Sequence, residues 1–334
     1  ETGGAYYGAA DARSMAALAE AAARGGRAQR RAGGSLPDNR YAWPLALALE
    51  AKPWMWYPEG SARPGREIAA LGEESKAPQV PAPLIRVTEG TLLAVSIRND
   101  LATPLRIHGL CARDGGVCAP LDVRPGDVRE VRFVSGRAGA YHYWATSIGA
   151  PVPFRELAGA LVVDPPGGPP QADRIFVITE WNDLTAAQLG KVMSADDSSA
   201  AFLATRPRLT FVINGLSWPD TERLTYRRGE QVRWRVVNVT SQAHPMHLHG
   251  FYFTVTHTGD GRIEQAVGGG GRRVVTQVVP SGGTLTMEWT PEREGNWLFH
   301  CHIMSHVSPD RRVEAGAKGV GAGPGGPARP PRTC

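Results

Sequence analysis

Two stretches of this chain, about 140 residues apart, carry the same punctuation, and that repetition limits the fold more than any other feature. Gly90 stands nine residues before Asn99, and Gly229 stands nine before Asn238. Each asparagine leads into a short motif ending in glycine. In the first half it is Thr103-Pro104-Leu105-Arg106-Ile107-His108-Gly109; in the second it is His244-Pro245-Met246-His247-Leu248-His249-Gly250. Further on, Gly139-Ala140-Tyr141 matches Gly295-Asn296-Trp297. Around these landmarks apolar and polar residues alternate. Leu93, Val95 and Ile97 alternate with Ala94, Ser96 and Arg98; Val232, Trp234 and Val236 alternate with Arg233 and Arg235; Leu285, Met287 and Trp289 repeat the pattern. Period-two runs bounded by Gly and Pro are half-buried strands, and many of them in series predict β-sandwiches. The expected fold is all-β, with one sandwich domain over 44–165 and a second over 171–314. They join at Pro165-Pro166-Gly167-Gly168-Pro169-Pro170. Residues 1–43 read as a flexible leader despite an Ala-rich helical stretch, and 315–334, rich in Gly, Pro and Arg, read as a disordered tail.

Composition excludes several classes. At 334 residues the expectation is about two domains, and 42% hydrophobic residues suffice for real cores. The net charge of +5 is spread along the chain without like-charge blocks, which argues against nucleic acid as a partner. No apolar run is long enough to span a bilayer. Met15 to Arg24 carries Glu20 and makes a poor export-signal core, and the chain begins at Glu1, so a signal is not visible. Cys111 and Cys118 are close enough to pair, which would favour an exported protein, or they are two free thiols.

Six of the nine histidines and one of the four cysteines fall in two short windows, His244 to His249 and His300 to His306. Packing does not call for that density of nitrogen and sulfur donors. Copper does: two imidazoles and a thiolate are the trigonal set of a blue-copper electron-transfer site, and further imidazoles suit further copper. Asn296 to His302 reads as a strand, and side chains alternate faces along a strand. His300 and His302 then share one face while Cys301 takes the other; His247 and His249 share a face, with His244 at an odd offset. The self-consistent arrangement puts His244, Cys301 and His306 around one copper. His247, His249, His300 and His302 face a second site across the strand.

The motifs resemble those of the multicopper oxidases, the family of laccases and related copper enzymes, over about residues 44 to 307. Phe211-Val212-Ile213-Asn214-Gly215 and Trp218-Pro219 belong to the resemblance together with both histidine clusters. The resemblance implies cupredoxin-like Greek-key sandwiches, and oxidation of a reductant at type 1 copper with dioxygen reduced at a trinuclear cluster. It implies His244, Cys301 and His306 as type 1 ligands, His247 as a type 2 ligand, and His249, His300, His302 and His108 as type 3 ligands. With two domains the chain is similar to members whose cluster forms between subunits, which implies a homotrimer. A small-molecule reductant or redox partner and a periplasmic or extracellular location follow from the same likeness.

Aligning the two halves shows departures. Against His244, Cys301 and His306 the first half offers Thr103, Ala145 and Ala150, so it has no blue-copper site. Arg106 and His108 stand against His247 and His249, and Trp144 and Thr146 against His300 and His302. A guanidinium has no lone pair for a metal. His142 sits two residues before the matching position and reads as an ordinary histidine unless a bulge brings it in. Ten residues after Cys301, the axial position holds Arg311, implying a three-coordinate type 1 copper. Trp54, Trp56, Trp181 and Trp218 read as core aromatics, and Met246 and Met304 as packing residues. Three functions compete: a laccase-like oxidase, a copper-binding electron carrier without a complete cluster, and a two-copper reductase resembling copper nitrite reductases. The last expects type 1 copper in the first domain, where Ala145 excludes it.

Overall fold

The computed structural model describes residues 45–56, 66–113, 117–148, 150–168, 173–182, 209–218 and 221–307. The expected leader and tail, its Ala-rich helix, part of the proline-rich junction, and Arg311 lie outside the described residues. In chain order the strands of the first half are β1 (Leu45–Trp56), β2 (Arg66–Glu73), β3 (Ala82–Thr88), β4 (Leu92–Asn99), β5 (Leu105–His108), β6 (Leu121–Val123), β7 (Val128–Val134), β8 (Gly139–Ser147) and β9 (Ala150–Asp164). Those of the second are β10 (Asp173–Asn182), β11 (Leu209–Ile213), β12 (Val232–Asn238), β13 (His244–Leu248), β14 (Phe253–Gly259), β15 (Glu264–Ala266), β16 (Arg272–Val274), β17 (Thr276–Val279), β18 (Thr284–Trp289) and β19 (Phe299–Cys301), followed by the single turn α1 (Met304–Val307). No helix among the described residues is long and apolar enough to cross a membrane.

Sheet β2-β1-β4-β7 faces sheet β3-β9-β8-β5-β6, and Leu93, Val95 and Ile97 of β4 pack with Leu105, Ile107, Tyr141 and Leu161 between them. The second sandwich sets β11-β10-β12-β18-β14-β15, with β16 on β14, against the small sheet β17-β13-β19. Trp234, Val236, Leu285, Met287 and Trp289 fill its core, as the alternation predicts. The repeat holds in three dimensions: β1 lies parallel to β4 as β10 lies parallel to β12, and β4 pairs antiparallel with β7 as β12 does with β18.

The polar face of β12 departs from expectation. Arg235 is only 2% exposed, because the first sandwich covers that face. Val177, Val237 and Val239 pack against Ala140, Ala158 and Ala160. Alternation separates the two faces of a strand but does not say whether the polar face meets water or paired charges. Here it meets charges. Arg235 Nε donates to Asp173 at 2.6 Å, while Arg86 donates to Asp164 and Asp173, both at 2.7 Å. These two aspartates end β9 and begin β10, so the cluster clamps the chain on either side of the junction.

Hydrogen-bond register also revises the internal alignment. Asn99 Nδ2 donates to the carbonyls of Thr103 and Val123; Asn238 Nδ2 donates to those of Gln242 and Val279. Leu105 pairs with Val123 and His244 with Val279, while Ile107 pairs with Ala145 and Met246 with Cys301. Leu105, and not Thr103, is therefore the counterpart of His244. His108 takes the place of His247, and Arg106 that of Pro245. Matching on Gly109 and Gly250 misled the alignment, because the first copy turns two residues sooner. Ala145, Trp144 and Thr146 keep their assignment opposite Cys301, His300 and His302.

Removing one carboxylate from the clamp leaves a buried guanidinium uncompensated, at a cost of about 3–5 kcal/mol. Asp173→Ala should therefore lower the thermal midpoint of the metal-free protein by several degrees in a calorimetric melt. An unchanged midpoint would show that the cluster does not hold the two sandwiches.

Candidate metal centre

Strand β13 buries His244, Met246 and Leu248 and turns Pro245 and His247 outward. Its neighbour β19 buries Cys301 and leaves His300 partly open. Met246 opposes Cys301 and His247 opposes His300. Two faces result, one carrying His244 and Cys301 into the core, the other carrying imidazoles outward. β19 is shorter than the predicted strand, since Gly295 (φ 144) and Trp297 form a turn that packs on Gly250 and Phe251 instead of extending the sheet.

On the inner face, α1 brings His306 to the pair. Among the described residues, His244, Cys301 and His306 are a trio whose donor atoms all lie within 4.8 Å of one another. Cys301 Sγ lies 3.5 Å from His306 Nδ1, and the two Nδ1 atoms are 3.3 Å apart. All three residues are less than 9% exposed. Phe211 of β11 closes the site, its ring 4.1 Å from His306 and 4.9 Å from His244.

Partners of the far nitrogens settle the tautomers. Thr240 Oγ1 lies 2.7 Å from Asn238 Oδ1, which only accepts, so the hydroxyl proton is committed there. The same Oγ1 then accepts from His244 Nε2–H at 3.0 Å. His306 Nε2–H donates to Gln242 Oε1 at 2.8 Å. Both Nδ1 lone pairs are left facing the sulfur. Among the described residues, the Ile303 N–H donates to Sγ at 3.4 Å.

Outward, four imidazoles gather. Ring centroids are 4.8 Å apart for His247 and His249, 4.4 Å for His247 and His302, 5.0 Å for His249 and His300, and 5.4 Å for His300 and His302. His247 Nδ1–H donates to the Val275 carbonyl at 2.7 Å and His300 Nδ1–H to the Cys301 carbonyl at 2.8 Å, so each presents its lone pair on Nε2. His249 Nε2 and His300 Nε2 already approach to 2.8 Å.

His108 does not join this group. Its ring stacks on Trp144 at 5.0 Å and its Nε2 lies 3.1 Å from Thr146 Oγ1, in the other sandwich. His142 bonds the Gly282 carbonyl across the interface at 2.9 Å and is not turned toward the four imidazoles by a bulge. Arg106 pairs with Asp122 at 2.6 Å on the surface. Cys111 and Cys118 form a disulfide. Met246 is a packing residue as expected, but Met304 is 70% and Trp218 50% exposed, contrary to the packing roles predicted for them. The side chains of the other three tryptophans read as core lie outside the described ones. Sequence reasoning missed Thr240 and Gln242. The repeated asparagine just before them was the available signal, but it marks a turn and does not reveal what that turn holds.

Burial governs the electrostatics. It pushes His244 down to about 4, with repulsion from His306 adding to it, and lowers His306 for the same reason. It raises the Cys301 thiol, against a smaller opposing effect of the Ile303 N–H. Desolvation also lowers His247, and His108 with help from Arg106. Near neutral pH the inner site therefore offers two neutral imidazoles and a protonated thiol.

Parts of the chain are similar to known copper proteins. Residues 183–311 match the family model of the multicopper oxidases. The chain is 28% identical over 277 residues, 78% of its length, to a probable nitrite reductase-hydroxylamine oxidoreductase fusion protein of Kuenenia stuttgartiensis, of which it covers 30%. It is 31% identical over 129 residues to laccase-3 of Botryotinia fuckeliana, covering 33% of this chain and 28% of that protein. It thus spans less than a third of the length of these curated relatives. Among solved structures, the multicopper oxidase mgLAC superposes with a TM-score of 0.58 at 23% identity, over 79% of this chain and 81% of that one. Both sandwiches have the cupredoxin fold, and residues 183–311 are similar to the multicopper oxidases. The two facing Nδ1 lone pairs beside a buried thiol are a donor set that fits copper.

Copper held by this trio would have to displace the Cys301 proton, while both imidazoles are already neutral near pH 7. Binding should release one proton per inner site, and affinity should rise roughly tenfold per pH unit from about pH 7 to about pH 8. Chelator competition followed with a pH indicator measures both. Uptake without proton release would exclude the thiolate as a ligand.

Proposed function

We propose that this chain is a laccase-like copper oxidoreductase that oxidises a small-molecule reductant one electron at a time and passes the electrons to a second copper site and on to dioxygen. His244, Cys301 and His306 would hold type 1 copper; His247 a type 2 copper; His249, His300 and His302, with His108 from a first domain, type 3 copper. Copper held in the inner site supplies reversible one-electron chemistry. The observation that carries the reading is the two-faced strand pair. Cys301 buries its sulfur in the inner trio while its own carbonyl accepts a hydrogen bond from His300, a member of the outer four. One residue thus touches both donor groups, so an electron has only to cross a single strand.

We take residues 44–165 and 171–314 as the two domains. His108 is engaged by Trp144 and Thr146 and not by the four imidazoles of its own chain, which supports assembly between copies, as a homotrimer. The Cys111–Cys118 disulfide supports a periplasmic or extracellular location. A second reading, an electron carrier without a complete cluster, is favoured by Trp144 and Thr146 standing at the positions of His300 and His302.

Copper-loaded protein should show an intense thiolate-to-copper absorption that Cys301→Ser abolishes together with one copper per chain. With a phenolic or diamine reductant the wild type should consume dioxygen. Three or more coppers per chain with oxygen uptake support the oxidase; two or fewer with no uptake support the carrier. A colourless copper-replete wild type would overturn both. Nitrite offered in place of dioxygen separates the reductase reading.

A further inference from the structure

The inner site is held from outside by one short turn. Asn238 Nδ2 donates to the carbonyls of Gln242, Val279 and Pro280, which closes the turn on itself and ties it to β17. Ser241 anchors it to β10, its N–H and hydroxyl both donating to Glu180 Oε2 at 2.9 and 2.7 Å. From this base Thr240 reaches His244 Nε2 and Gln242 reaches His306 Nε2. The two contacts differ in exposure. Thr240 is fully buried, whereas Gln242 lies at the surface, over an imidazole that is itself only 8% exposed. The first copy keeps the turn without its cargo. Asn99 Nδ2 donates to the Thr103 and Val123 carbonyls in the same way, but Thr103 stands in place of Gln242 and Leu105 in place of His244. The backbone of the turn is therefore a property of the sandwich, and the carboxamide belongs to the copy that carries the metal site.

We propose that Gln242 is a positioning residue of the His244–Cys301–His306 centre, its carboxamide oxygen fixing the His306 ring and covering the edge through which a reductant reaches it. This rests on the copper reading above. An acceptor on the far N–H of an imidazole ligand holds its tautomer and raises its basicity, and losing such a partner costs about 10–100-fold in metal affinity or activity. A more basic ligand favours the higher charge state of its metal. Gln242 therefore pulls the potential of the centre down relative to a site lacking it. A reductant arriving at His306 must either hydrogen-bond to the carboxamide or displace it.

The test uses the full chain, copper-loaded, with Gln242→Leu and Gln242→Glu. Gln242→Leu should keep the blue absorption and raise the reduction potential measured by spectroelectrochemistry, with copper affinity about tenfold weaker. Gln242→Glu, which restores an acceptor and makes it anionic, should move the potential below that of the wild type. With a phenolic reductant, KM should change more than kcat in Gln242→Leu, because the substitution alters the contact edge and not the donor set. Potentials of both variants equal to the wild type, in blue and fully loaded protein, would overturn the role of Gln242 and leave the copper reading intact. If Gln242→Leu fails to fold, Gln242→Glu alone decides through the direction of its shift. A wild type without blue absorption removes the centre itself, and this inference with it.

Discussion

Pairing of β13 with β19 sets Met246 against Cys301 and His247 against His300, and both donor groups depend on that register. The side-chain period of a strand is two, so a slip of one residue would carry Cys301 out of the core and His300 into it. Register is held on both sides of β13. Toward β17, His244 opposes Val279 and His247 opposes Thr276. Toward the core, Met246, Leu248 and Val279 are each about 1% exposed. A slipped strand would expose those apolar side chains and bury imidazoles without partners. The hydrophobic core of the second sandwich thus specifies the chemistry of its rim.

Duplication explains why the two sandwiches look alike while one carries nearly all the donors. The asparagine turn, the pairing of the following strand, and the left-handed glycine after it appear in both copies. Inside that shared frame the first copy has Leu105 and Ala145 where the second has His244 and Cys301, and apolar packing replaces the donors. Its outer face carries the Arg106–Asp122 ion pair and the His108–Trp144 stack. The interface between the copies is apolar at its centre, with valines on alanines, and ionic at the junction through Arg86, Asp164, Asp173 and Arg235.

Much of this was legible in the residues, for a physical reason. Alternating Leu93, Val95 and Ile97, and again Val232, Trp234 and Val236, encode strands directly, because a half-buried strand must alternate. Likewise the i, i+2 spacing of His247 and His249, and of His300 and His302, states which donors share a face. Long-range facts were not legible. The burial of Arg235 depends on a second sandwich covering its face. The two-residue shift between Gly109 and Gly250 shows only in the hydrogen bonds, since a glycine marks where a chain turns and not how long the preceding strand runs. Gln242 and Thr240 were missed because a capping side chain has no spacing rule of its own. Its role exists only once the imidazole lies beside it.

A group of imidazoles and a thiol at the end of an apolar core presents a solvation problem, and their surroundings show how this chain meets it. Desolvation opposes charge on the metal-free side chains, keeping His244 neutral down to about 4 and the Cys301 thiol protonated. Near neutral pH the inner trio itself therefore places no isolated charge in the core. Each polar atom not aimed at the metal has a partner of its own: Nε2 of His244 on Thr240, and Nε2 of His306 on Gln242. The ring orientations needed for binding are thus satisfied by hydrogen bonds that exist beforehand. A metal bound there, as proposed, would have little reorganisation to drive, and a centre exchanging single electrons would work best when its ligands move little between the two charge states. That rigidity comes from the same turn that closes the sandwich in the copy lacking the donors.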